Sequence, residues 1–147
     1  MLEEQLVAII ESRADEVART WYREVKESHY TPGFKNISEE EGLEMATNVY
    51  RKLGYWLTPS SDKDVKYTYE MFGESLYNKG FRMEEVVMVL VFIKRYLWLH
   101  LLEQGIMSTN LEVYRALELN NKVVLYFDRA ICFALEGYNN ARERDRR

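Results

Sequence analysis

The sequence predicts an all-α fold, a five-helix bundle closed by a long C-terminal helix. Three observations carry that prediction. Apolar residues recur at three- and four-residue steps in five separate segments. No stretch alternates apolar and polar residues as a half-buried strand does. The only two prolines, Pro32 and Pro59, fall between periodic segments rather than inside them.

The first segment runs from about Leu2 to Ser28, where Leu6, Ile9, Ile10, Ala14, Val17, Trp21 and Val25 form one stripe. Pro32-Gly33 breaks the chain. Ser38 opens the second segment, with Glu41 three residues on as in a capping box. Leu43, Ala46, Val49, Tyr50, Leu53 and Trp56 carry its stripe up to the Thr58-Pro59-Ser60-Ser61 turn. The third segment, about Asp62 to Asn78, has acidic residues in its first turn, where the helix dipole favours them. Val65, Tyr69, Phe72 and Leu76 make its inner face, and Gly80 ends it.

The fourth segment, about Met83 to Glu103, is apolar most of the way round. Val86, Leu90, Ile93, Leu97 and Leu101 lie on one face; Val87, Val91, Trp98 and Leu102 lie largely on another. Such a helix is buried on several sides, so this one is either central or carries a subunit contact. Gly105 closes it.

Ser108, Thr109 or Asn110 caps the last helix, and Thr109 with Glu112 fits a capping box. Here the period moves towards seven: Leu117, Val124, Ile131 and Tyr138 are spaced by heptads, with Phe127, Ala134 and Ala141 three residues after the last three, as in a coiled-coil seam. Gly137 weakens a helix by roughly 1 kcal/mol relative to alanine, which sets an expected end near Tyr138. The expected organisation is one helical domain over residues 1–138, followed by a polar tail or linker over 139–147.

Composition narrows the function classes. Hydrophobic residues make up 47% and charged residues 30%, the balance of a globular chain. The formal charge of −4 argues against nucleic acid as a partner. The longest apolar run, Val86 to Ile93, is stopped by Lys94 and Arg95 far short of the roughly 20 residues a membrane span needs. The start, Met-Leu-Glu-Glu, goes straight into a helical pattern and does not resemble a signal peptide. Cys132 is the only cysteine, which suits a reducing cytoplasm. Its neighbours Ile131, Phe133 and Ala134 predict a packed position.

No catalytic or metal-ligand constellation is evident, and no cofactor is expected. His29, beside Pro32, reads as a surface residue near a helix C-terminus. His100 reads as a core or interface residue, or as an axial haem ligand of a globin-like protein. Neither histidine has a second ligand at metal-binding spacing, and Glu84 and Glu85 precede no Glu-x-x-His. The Glu39-Glu40-Glu41 run reads as a solvated first turn. Aromatic residues are 14% of the chain, and Trp21, Tyr50, Trp56, Phe72 and Tyr96, with His100, are the candidates for a small apolar pocket. Val87, Val91 and Trp98 of the fourth helix, with Leu117, Val124, Ile131 and Tyr138 of the last, are the candidate dimer interface.

Three stretches resemble a known family: Ile9-Ile10-Glu11-Ser12-Arg13-Ala14-Asp15-Glu16-Val17-Ala18-Arg19-Thr20-Trp21, Gly80-Phe81-Arg82-Met83-Glu84-Glu85-Val86-Val87, and Ile93-Lys94-Arg95-Tyr96-Leu97-Trp98. They look like the N-terminal sensory domain of RsbRD-type co-antagonists of the bacterial stressosome. That resemblance implies an all-helical, often dimeric input domain with non-haem globin-like relatives. It also implies a signalling output domain or partner kinase that receives the signal through the C-terminal helix. Arg82 departs from the pattern, which often has a small capping residue after Gly-Phe, and this puts the local cap in question.

Overall fold

The computed structural model describes residues 2–105 and 108–147. Among the described residues there are seven α-helices, two 3-10 helices and no strand. The all-α class and the long last helix are as expected; the count of five is not. In chain order the α-helices are α1 (Leu2–Ser12), α2 (Ala14–Glu27), α3 (Glu39–Tyr50), α4 (Leu53–Trp56), α5 (Asp62–Asn78), α6 (Met83–Glu103) and α7 (Asn110–Asp145). The 3-10 turns cover Pro32–Asn36 and Pro59–Ser61.

The two extra helices come from two matching bends. Arg13 (φ −116°, ψ 24°) separates α1 from α2, and Lys52 (φ −120°, ψ 32°) separates α3 from α4. At the first bend the Ser12 hydroxyl donates to the Ile9 carbonyl at 3.2 Å, a back-bond that bends helices. The bends face each other and are joined. The Gly54 N–H donates to Glu11 Oε2 at 2.9 Å, and Arg51 pairs with Asp15 at 2.9 Å. Bending lets Leu6 and Ile10 on one side, and Ala18, Trp21 and Val25 on the other, all reach the core.

Helices α5 and α7 run in the same direction, as the ion pairs Asp62–Arg129 and Glu74–Arg144 show at successive levels along both. Helix α6 runs back in the opposite direction, packed against α7 and α2. Its start is fixed by the end of α5, where Gly80 takes φ +85° and the Phe81 N–H donates to the Leu76 carbonyl at 3.0 Å, a Schellman closure. Where α5 crosses α7 the backbones nearly touch. A Cβ on Gly73 would lie 1.8 Å from the Ala134 carbonyl oxygen, and one on Gly137 would lie 1.9 Å from that of Glu70. Gly137 therefore does not end the last helix. It is the residue that allows the crossing, and α7 continues through Asn139 to Asp145 with Ala141 buried.

Glu85 sits at the base of α6 and is only 2% exposed. Its carboxylate accepts the Gly33 N–H at 2.7 Å on one oxygen and the Arg82 N–H at 2.7 Å on the other. Arg82 is thus accommodated at the cap because Glu85 reaches back to its backbone; the arginine side chain, which has no acceptor, contributes nothing to that bond. The same carboxylate pins the first 3-10 turn, so that Phe34 stacks edge-on against both Trp21 and Phe81. At the start of α7, Thr109 is the cap: its hydroxyl accepts the Glu112 N–H, and Glu112 accepts the Thr109 N–H, both at 3.1 Å.

Replacing Gly73 or Gly137 by alanine tests the crossing. Helix propensity alone predicts a gain of about 1 kcal/mol, whereas a methyl pressed against a backbone carbonyl predicts a loss of at least about 3 kcal/mol. Urea denaturation distinguishes the two by sign, and a gain would remove the close contact.

Candidate functional site

The predicted interface residues do not lie on one surface. Along α7 they pass from solvent into the core: Leu117 is 59% exposed, Val124 and Ile131 are half-buried, and Tyr138 is 6% exposed. The cause is geometric. An untwisted α-helix drifts about 20° per heptad relative to a seven-residue repeat, so a heptad series spirals around it. Tyr138 is an internal anchor, not an interface residue. Its hydroxyl donates to the Phe81 carbonyl at 2.7 Å, and its ring packs edge-on against Tyr77. Cys132 is also corrected: it is exposed. Ala130 and Ala134 hold the inner face of α7, which turns the residue midway between them outward.

The aromatic candidates do not share a pocket either. Trp21 and Tyr50 are wholly buried and bind α6 from within: Trp21 Nε1–H donates to the Val89 carbonyl at 3.4 Å, and the Tyr50 hydroxyl to that of Ile93 at 2.6 Å. Trp56 and Phe72 border an open groove of about 410 Å³ between α3 and α5. Tyr96 and His100 border a separate pocket of about 150 Å³ between α2 and α6, with Glu16, Val17, Thr20, Leu99 and Glu103. His100 is 9% exposed, and its Nε2 is buried without a hydrogen-bond partner. His29 is exposed, as are Glu39, Glu40 and Glu41.

The outward face of α6 has the pattern that α7 lacks. Glu84, Met88, Val91, Arg95, Trp98 and Leu102 follow one another at steps of four and three, the spacing of a helix-pairing seam. Met88, Val91 and Trp98 are half-buried, Leu102 is 62% exposed, and Glu84 and Arg95 are exposed. Val87, chosen from sequence, flanks this seam. Met88, Glu84 and Arg95 were not placed in the interface from sequence, although the alternating step was there to be read. At the free end of α6 and the start of α7, Leu99, Leu111, Val113 and Tyr114 add further exposed apolar surface.

No family model, curated protein or solved structure matches the chain. Among the described residues, no three His, Cys, Asp or Glu side chains are placed to hold a metal ion, and no helix is long and apolar enough to cross a membrane.

The largest electrostatic perturbations fall on buried tyrosines. Burial pushes Tyr50 well above its ordinary value, with the neighbouring Tyr96 adding to the shift. Burial also raises Tyr69 and Tyr126, whose hydroxyls bond each other across the α5–α7 contact. Tyr96 is raised by desolvation and then by Glu24. A tyrosine whose folded pKa lies above its unfolded value, near 10, contributes stability that is full below pH 10 and declines as pH rises from there through the folded value. The expected result is a urea midpoint that is level to about pH 9.5 and falls above about 10. In Tyr50→Phe that alkaline fall is shallower; an unchanged slope in this variant would remove Tyr50 as its source.

Proposed function

We propose that this chain is a regulatory input domain that acts by associating with a second copy and relaying a signal along α7, without catalysis. The observation that carries the reading is the seam-spaced outward face of α6, on which Leu102 is exposed and Met88, Val91 and Trp98 are half-buried in a single chain. An apolar helix face of that length calls for a partner. The 36 residues of α7 extend about 54 Å, so one rigid element links the α6 end turn to residues beyond the α5 crossing. The likeness of three sequence stretches to RsbRD-type sensory domains supports the same reading, with a cytoplasmic output domain or kinase as the receiver.

Sedimentation velocity over a range of concentrations tests association. A concentration-dependent dimer is expected, and Val91→Glu weakens it about tenfold or more at unchanged helical content. A strict monomer at the highest attainable concentration sinks the reading.

A second reading, ligation of haem or another ligand by His100, is favoured by the unpartnered Nε2. Against it stands size: the adjoining pocket is about 150 Å³, and cofactor-sized ligands generally take at least about 300 Å³. Haem titration followed by visible absorption decides the matter. A Soret shift abolished by His100→Ala supports ligation; no shift, or one that survives the substitution, excludes His100.

A further inference from the structure

We infer that the partner of the α6 face is a second α6 laid antiparallel across a two-fold axis that passes between Val89 and Leu90. This rests on the proposed self-association and specifies its geometry. The seam contains two charges of opposite sign, Glu84 and Arg95. They are eleven residues apart, or three helical turns, which places them on the same side of α6 and about 16.5 Å apart along its axis. Between them lie Met88 and Val91.

Charge selects the arrangement. A parallel, in-register pair sets Glu84 against Glu84 and Arg95 against Arg95, two like-charge contacts at a desolvated seam. An antiparallel pair centred further along, near Ile93, sets Glu84 against Leu102 and leaves both charges unmatched. Only the antiparallel pair centred between Val89 and Leu90 brings Glu84 of each chain opposite Arg95 of the other, with Met88 opposite Val91 in between. Among the described residues Arg95 forms no ion pair within its own chain, and the ion pair between Glu84 and Arg82 is solvent-exposed on both sides. Both groups are therefore available. Antiparallel seams of this kind also carry a directional consequence. Because α7 runs opposite to α6 in each chain, the two α7 helices of the dimer point in opposite directions, and each relays on its own account.

The test reverses the charges. Dissociation constants are measured by sedimentation for the unmodified chain, Glu84→Arg, Arg95→Glu and the double variant. Each single reversal is expected to weaken the dimer about tenfold, and the double reversal to restore it to within about threefold. Tighter association when either charge is neutralised, in Glu84→Gln or Arg95→Gln, indicates like-charge contacts and so a parallel seam, and overturns the register. Single reversals without effect fit a parallel seam or a contact elsewhere and overturn it too, while leaving self-association standing. An unmodified chain that never dimerises removes both proposals together. A second measurement leaves the charges intact. In a Cys132→Ser background, mixed Met88→Cys and Val91→Cys chains are expected to form a disulfide-linked dimer on mild oxidation. Leu102→Cys chains are expected to form none, because Leu102 lies at the far end of the seam from its twin. Cross-linking of Leu102→Cys, or none between Met88→Cys and Val91→Cys, overturns the arrangement.

Discussion

The backbone contact between α5 and α7 is the constraint on which the rest of the structure depends. Two glycines, Gly73 and Gly137, each face a carbonyl oxygen of the other helix, so neither helix tolerates a side chain at that point. The hydrogen that occupies the Cβ position in each glycine is directed at that oxygen, a pair of weak C–H···O contacts. The separation of α5 and α7 is thereby set at close to its minimum. Packing around them follows: the Tyr69–Tyr126 hydroxyl contact below the crossing and the Tyr138 bond to Phe81, which docks the start of α6, above it.

Helix α6 is held from inside by polar bonds to its own backbone. Trp21 and Tyr50 donate to its carbonyls, and Glu85 ties its first turn to Gly33. Buried hydrogen bonds to a carboxylate are among the stronger ones available to a protein. They fix the rotation of α6 about its axis, which matters because the helix is apolar on both sides. A purely hydrophobic helix of this kind could be turned with little loss of burial; directional bonds decide which face stays in the core and which faces solvent.

The class of fold was legible because each long segment shows its apolar stripe locally, and the Thr109–Glu112 cap because both partners sit within one turn. The two bends were not. Arg13 and Lys52 are ordinary helix formers, and the contacts that hold the two bends together join residues some 40 positions apart. Gly137 misled for the same reason: its role is visible only once Glu70 is beside it. Tyr138 was misplaced because an even heptad reading ignores the drift of an untwisted helix, and Cys132 because apolar neighbours in sequence do not fix which way a helical residue points. Aromatic residues announce burial but not neighbours, so Trp21, Tyr50, Trp56, Phe72, Tyr96 and His100 separated into core anchors and two unrelated recesses. The Glu85 clamp left the weakest trace, since a lone acidic residue in the first turn of a helix ordinarily signifies a solvated dipole partner.

The heptad series of α7 gains a mechanical meaning from its spiral. Leu117, Val124, Ile131 and Tyr138 span about 60° around the helix over three heptads, from open solvent to full enclosure. The C-terminal half is gripped at Gly137, while the first turns stand clear of the crossing. The rod thus meets its closest backbone contact towards one end, while its other half is packed through side chains such as Leu119 and Val123, with a graded apolar thread wound along it.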